Sequence, residues 1–111
     1  MELKLNIYKK KEIIKTYTAD TYDLEFGVVE DFCEVVKLDE LKTGSDVELI
    51  KMAGAALISG MGTIKNLFKD IFEGLTDEEL KKAKVKEMTK VIVEIVKYSI
   101  AEMNKGITQK N

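Results

Sequence analysis

Residues 45–80 read SDVELIKMAGAALISGMGTIKNLFKDIFEGLTDEEL, and this stretch contains two signals for the start of a helix. Ser45 and Glu48 have the S-x-x-E spacing of a capping box, in which each side chain bonds the free backbone N–H of the other residue. Thr76 and Glu79 repeat that spacing near the end of the stretch. The two signals predict one helix that begins at Ser45 and a further helix that begins at Thr76.

Between the two signals, apolar residues and one glycine recur at alternating intervals of three and four residues. The members of this heptad repeat are Val47, Ile50, Gly54, Leu57, Met61, Ile64, Phe68, Ile71 and Leu75. A repeat of about four heptads is typical of a long helix that packs against another long helix. We therefore predict one unbroken helix, with Gly74 as its stop.

The helix that begins at Thr76 has further support. Three acids at 77–79 occupy its first turn, where the helix dipole favours negative charge. Leu75 and Leu80 are placed for a hydrophobic staple. The pattern predicts a helix to about Asn104, ended by Gly106. Because the join to the preceding helix is short, the two should form a long antiparallel pair.

Upstream, residues 2–8 and 12–18 predict two β-strands. The first strand carries alternating apolar residues on one face, namely Leu3, Leu5 and Ile7. The second stretch is rich in β-branched and aromatic residues, which favour strands. The three lysines between them would connect a hairpin. Two strands alone are marginally stable in water, so this hairpin must pack on helices or on another chain.

A first helix is predicted over residues 22–37, with Asp20 or Thr21 as its cap. Residues 38–44 are predicted to form a turn. Cys33 is the only cysteine, which excludes an intrachain disulfide. Because Cys33 lies within the apolar pattern of this helix, we expect a small core residue and not a reactive thiol.

The predicted fold is α+β and mainly α, with an N-terminal β-hairpin followed by three helices. We expect a single domain over residues 1–106 and a flexible C-terminal tail over 107–111. No apolar run approaches the roughly 20 residues that a membrane span requires. The N-terminus lacks the continuous apolar stretch of a secretory signal. We therefore expect a protein made and used in a cytoplasm.

The composition argues against an enzyme. The chain has no histidine, the commonest general base and metal ligand. Its 18 basic residues are all lysines, and the absence of arginine argues against sequence-specific nucleic-acid binding. Helix capping explains the acids at 77–79 without a metal. We predict no catalytic, cofactor or metal site, and a protein that works by binding other proteins.

Charge is segregated along the chain. Residues 20–48 carry ten acids and two lysines, whereas residues 1–19 and 49–111 each have a net charge of +3. The acidic middle and the basic flanks could attract each other within one chain or between copies. The alternative is that these charges simply form solvated helix faces.

Residues 52–63, MAGAALISGMGT, form an unusually thin stretch of the predicted helix. Three glycines in one helix cost about 2–3 kcal/mol of helix propensity, so another interaction must offset them. One explanation is close packing inside the monomer, and the other is a groove for a partner helix. The last helix also carries more apolar residues than one stripe needs, which favours self-association. The candidate partner-binding residues are Met52, Gly54, Leu57, Gly60, Met61, Ile64, Val93 and Ile100.

Whole phrases of the sequence resemble the tail assembly chaperones of long-tailed phages and prophages of low-GC Gram-positive bacteria. The phrases are MELKLNIY, KTYTADTYDLEFGVVED, GSDVELIKM and LFKDIFEGLTDEELKKAKVKEM. The resemblance covers nearly the whole chain, and it is strongest around GLTDEEL. In the family pattern a proline often precedes that glycine, where this chain has Glu73.

The resemblance implies a chaperone that binds the hydrophobic tape measure protein, keeps it soluble and is shed as tail tube subunits assemble. Many such chaperones also have a longer form, made by ribosomal frameshifting, that recruits the tail tube protein. The codons of Lys110 and Asn111, together with the last base of the Gln109 codon, can form a heptamer on which ribosomes slip, although an ordinary polar tail explains these residues as well. The alternative function is a small dimerising regulatory or adaptor protein without enzymatic activity.

Overall fold

The structure is a computed structural model that describes residues 2–37 and 45–108, with side chains up to residue 102. The chain is mainly helical, with an N-terminal antiparallel β-hairpin followed by helices, which confirms the predicted α+β class. The elements are the strands β1 (Glu2–Lys9) and β2 (Glu12–Asp20) and the helices α1 (Phe26–Val36), α2 (Asp46–Ser59), α3 (Met61–Ile71), α4 (Asp77–Leu80) and α5 (Val85–Thr108).

The hairpin forms where the alternation of residues predicts it. Its register runs from the pair Glu2–Asp20 to the pair Lys9–Glu12, and Lys10 adopts a left-handed φ of 60° in the turn. One face of β1 is fully buried, through Leu3, Leu5 and Ile7. This face packs against α5, which supplies the helical support that two isolated strands lack.

The predicted first helix is shorter than expected. Thr21–Asp23 form a separate 3₁₀ turn, and the side chain of Asp20 accepts a hydrogen bond from the backbone N–H of Tyr22 at 2.9 Å. Leu24 is extended, with a ψ of 127°, so α1 begins only at Phe26. The predicted turn at 38–44 lies outside the described residues.

The long helix predicted from Ser45 is two helices. α2 ends at Ser59, and α3 leaves it at an angle of 106°. The break lies at Gly60, where an added Cβ would come within 2.7 Å of Val35 Cγ1. Close packing of α1 therefore occupies the space that a side chain at the bend would need. The heptad repeat is interrupted as a result, with Val47 exposed and Phe68 buried.

The helix predicted from Thr76 is also interrupted. The capping box forms as predicted, with the Thr76 side chain accepting from the Glu79 N–H and the Glu79 carboxylate accepting from the Thr76 N–H. The helix ends at Leu80, and residues 82 and 83 pair with the edge of β1. There the Lys82 carbonyl accepts a hydrogen bond from the Tyr8 N–H at 3.0 Å.

The turn between α3 and α4 contains Gly74, which lies beyond the helix end at Ile71. Gly74 has a left-handed φ of 88°, which glycine adopts without strain. At the other end of the fold, α5 continues through Gly106 to Thr108, so the predicted stop at Gly106 is wrong. The rest of the predicted tail, residues 109–111, lies outside the described residues.

The core gathers around α5, which packs against β1, α1 and α2. A row of aromatic rings also lies in the core. It runs from Phe32 to Phe68, Phe72 and Tyr17, with centroid separations of 6.0–6.5 Å. The neighbours β1, α1 and α2 bury the apolar residues in the middle of α5, namely Val91, Ile92, Val93, Ile95 and Val96. Val85 at the start of α5 is 68% exposed, and Ile100 is partly buried.

Candidate protein-binding surface

An apolar stripe lies exposed along one face of α2. It consists of Val47, Ile50, Gly54 and Ile58, whose intervals of three, four and four residues place them on one side of a helix. The three aliphatic members are all exposed, and Ile58 is 84% exposed. An added Cβ at Gly54 would have no atom within 4 Å, so the surface above it is open. We call these four residues the α2 stripe.

The opposite side of α2 explains why the stripe faces outward. Leu49, Ala53, Ala56 and Leu57 are buried against the rest of the fold. Two of these four are alanines, which let α2 lie close to its neighbours α1 and α5. This buried side of α2 makes the contacts with the rest of the fold. No described residue covers the apolar side chains of the stripe.

A groove of about 600 Å³ runs between α2 and α5, beside the stripe. Ile50 forms part of its α2 side, and Val93 forms an apolar part of its α5 side. The remaining lining residues are polar or charged, namely Asp46, Lys86, Glu87, Thr89, Lys90 and Lys97. We call this feature the α2–α5 groove.

The two acids of the groove are engaged within the chain. Asp46 Oδ1 lies 2.8 Å from Lys97 Nζ, which joins the start of α2 to α5. Glu87 accepts hydrogen bonds from the backbone N–H of Asn6 at 3.2 Å and from the hydroxyl of Tyr8. The bond to Glu87 raises the pKa of Tyr8 above its usual range.

Two lysines of the groove form no ion pair with another described residue. Lys86 and Lys90 are exposed on successive turns of α5. Within residues 2–37 and 45–102, neither ammonium group lies within salt-bridge distance of a carboxylate. The groove therefore has apolar side chains and, along its α5 side, two lysines that form no salt bridge with a described carboxylate.

The structure separates the eight predicted partner-binding residues into three groups. Leu57, Ile64 and Val93 are buried in the core, and Val93 also lines the groove. Met61 is exposed at the start of α3. The remaining four are partly buried: Met52, Gly54, Gly60 and Ile100.

Two glycines of the thin stretch differ in their surroundings. Gly60 is packed against Val35 inside the monomer. Gly54 has open space above it, as a groove for a partner requires. Sequence reasoning overlooked Ile58 because a heptad repeat skips it. A helical period of 3.6 residues would have found it, eleven residues after Val47.

The described residues carry little that suggests chemistry. Cys33 is half-buried, and desolvation raises the pKa of its thiol, which disfavours the reactive thiolate. Across the described ranges, no three cysteine or acidic side chains are grouped closely enough to hold a metal ion. No described helix is by itself long and apolar enough to cross a membrane, although α2 and α3 together would meet that test despite their bend.

Comparison of the chain with protein-family models, with curated proteins and with solved structures found no match. The likeness to tail assembly chaperones therefore rests on the sequence phrases alone. The structure presents an exposed apolar surface, which consists of the α2 stripe and the α2–α5 groove.

Proposed function

We propose that this protein is a non-enzymatic chaperone that binds an apolar segment of another protein. Its partner would be the tape measure protein of a long-tailed phage, which it keeps soluble during tail assembly. The α2 stripe is the observation that carries the proposal, because a contiguous apolar surface on a small domain usually marks a site of protein interaction.

The size of the stripe suits binding that can be reversed. Each aliphatic side chain contributes about 1.5–3 kcal/mol when it is fully buried, so three contribute roughly 5–9 kcal/mol. Association costs about 4–15 kcal/mol of lost freedom, which offsets most of that gain. A chaperone that must release its partner as the tail tube forms needs such a balance.

The wider role follows the family resemblance. The chaperone would act in the cytoplasm of the bacterial host and would be absent from the finished virion. A longer form made by frameshifting would recruit the tail tube protein. The residues in which slippage would occur, Lys110 and Asn111, lie outside the described part of the chain.

Self-association is part of the same proposal. An exposed stripe that binds a partner also favours contacts between copies, and we expect species larger than 12.6 kDa at micromolar concentration. Light scattering over a range of concentrations measures this directly. A single 12.6 kDa species at the highest concentration would contradict self-association.

Co-expression with the tape measure protein tests the main proposal. Replacing both Ile50 and Ile58 by glutamine keeps good helix formers in α2 but removes apolar surface from the stripe. We expect the affinity to fall on the order of a hundredfold and the tape measure protein to become insoluble.

The hairpin offers a matched control. Ile13 and Ile14 are 53% and 54% exposed on β2, close to the 52% of Ile50, and they lie outside the stripe and the groove. Replacing both by glutamine should leave the tape measure protein soluble. If the two double variants behave alike, with circular dichroism showing both folded, the stripe is not the binding surface.

A further inference from the structure

We propose that the α2–α5 groove and the adjoining stripe receive an amphipathic helix whose apolar positions are flanked by acidic side chains. This inference rests on the proposed function, since it specifies the segment of the partner that the same surface holds.

The length and shape of the surface fit a helix. From Val47 to Ile58 the stripe extends about 16 Å, at about 1.5 Å per residue. A partner helix of about three turns would match it with apolar side chains at intervals of three and four residues. The open space over Gly54 gives room for one of those side chains near the middle of the stripe.

The backbone around the groove disfavours an extended peptide. Both sides are helices, whose backbone groups bond within their own helix. An extended segment laid against Ile50 and Val93 would bring its own unpaired N–H and C=O groups onto an apolar surface, which is costly. A helix satisfies those groups internally, so it can cover the same surface without that cost.

Lysines flank the apolar surface on both sides. Lys86 and Lys90 lie on the same face of α5 as Val93, at intervals of four and three residues. Lys51 is exposed on α2, at the edge of the stripe away from the groove. No salt bridge engages these three lysines within the described ranges. A bound helix with acids beside its apolar positions would therefore meet positive charge on both flanks.

A second copy of the chain is a weaker occupant. The acidic segment 20–37 has the right charge, with six acids and one lysine. Its apolar residues Phe32 and Val36 are already buried in its own core, however, so α1 cannot present an apolar face. The exposed large apolar side chains of this segment are Tyr22, which already packs edge-on against Tyr98, and Phe26, whereas the stripe offers three aliphatic side chains.

Synthetic peptides of about four turns test this inference. One has leucines at helical spacing with glutamates on both flanks, and another replaces the glutamates by lysines. We expect the acidic peptide to bind about tenfold more tightly by fluorescence anisotropy, with the difference shrinking as salt is added.

Two charge variants of the full chain locate the effect. Replacing Lys86 and Lys90 by glutamine should abolish most of the preference for the acidic peptide. Replacing Lys4 and Lys11 on the hairpin removes the same charge elsewhere, and the preference should remain. Equal binding of both peptides, or equal loss in both variants, would overturn the inference.

The outcomes separate this inference from the proposed function. If the chain keeps the tape measure protein soluble but shows no preference between the peptides, the acidic helix is wrong and the chaperone stands. If it prefers the acidic peptide but fails to hold the tape measure protein, the chaperone role is wrong. If the acidic peptide cannot displace a self-associated copy even at saturating concentration, a second copy is the occupant of the groove and the inference is overturned.

Discussion

Helices α2 and α5 both carry more apolar residues than a single narrow stripe holds, but the fold covers only one of them. α5 is surrounded by β1, α1 and α2, and its apolar residues from Val91 to Val96 are buried. α2 lies at the outside, so its inner side is buried and its outer side leaves Ile50 and Ile58 exposed. A helix with many apolar residues therefore does not by itself indicate a partner surface. The elements that pack against that helix must also be known.

The largest expected contrast between the two helices is in stability. Ile92 on α5 is fully buried, whereas Ile58 on α2 is 84% exposed. Ile92→Ala should lower the free energy of unfolding by about 2–5 kcal/mol, because it removes buried methyl groups and leaves a cavity. Ile58→Ala should change it by no more than about 0.5 kcal/mol. Urea unfolding followed by circular dichroism measures both.

The two alanine variants also test the proposed partner surface. If Ile58→Ala destabilised the chain as much as Ile92→Ala, the outer face of α2 would be part of a core, formed in solution by another copy. Repeating the urea titration at several protein concentrations would then show a shift for the wild type.

The next contrast is between two glycines of the same region. An added Cβ at Gly60 would lie 2.7 Å from Val35 Cγ1, so Gly60→Ala should destabilise the fold by about 1–3 kcal/mol. Gly54 is inside α2 with open space above it, so Gly54→Ala should stabilise the fold by up to about 1 kcal/mol. Thermal unfolding of both variants measures the difference.

The double variant Gly60→Ala with Val35→Ala provides the control for the clash. Removing the Val35 methyl groups gives the new Cβ space, so the second substitution should cost less in the Gly60→Ala background than in the wild type. Independent, additive effects of the two substitutions would mean that the new Cβ at position 60 does not clash with Val35.

These contrasts show which parts of the fold the sequence could predict. The strand alternation of Leu3, Leu5 and Ile7 and the capping box at Thr76 were predicted, because they depend on residues close in the chain. At the bend, Gly60 packs against Val35 in another helix, and no local pattern contains that contact.

The interruption between α4 and α5 also lies at a contact between residues distant in the chain. At this interruption the chain meets the edge of β1, where Ile7 bridges to Ala83 and the Lys82 carbonyl accepts a hydrogen bond from the Tyr8 N–H. The candidate surface was predicted only in part for the same reason. Gly54 was singled out by its size, but Ile50 was assigned to a helix-packing repeat that the bend interrupts.

A third contrast lies between neighbouring acids of α4. Hydrogen bonds from the Tyr17 hydroxyl at 2.5 Å and from the Thr76 N–H, with Lys15 at 3.2 Å, lower the pKa of Glu79 from 4.5 to about 2. A carboxylate with a lowered folded pKa stabilises the fold above its unfolded pKa, and this is lost as pH falls. The urea midpoint should therefore fall between pH 4.5 and pH 2.

Replacing either acid by glutamine isolates this effect. Glu79→Gln should be less stable than the wild type at pH 7, and its midpoint should depend less on pH over the acid range. Glu78, next to it, has a side chain 84% exposed and only a 3.9 Å contact with Lys81. Glu78→Gln should follow the wild-type profile, and a loss of pH dependence in this variant instead would contradict the assignment.

The smallest expected effect concerns the ion pair that joins the two helices of the opening comparison. Asp46 and Lys97 approach to 2.8 Å, but their side chains are 75% and 45% exposed, so water and salt screen the pair. A double-mutant cycle with Asp46→Asn and Lys97→Gln should give a coupling energy of at most about 1 kcal/mol, which decreases when salt is added. A larger coupling that persists at high salt would mean that the pair is desolvated, as it would be if a partner or a second copy covered the groove. The same cycle measured with the acidic peptide bound should therefore give a larger coupling than in the free protein, because a helix lying in the groove would exclude water from Lys97.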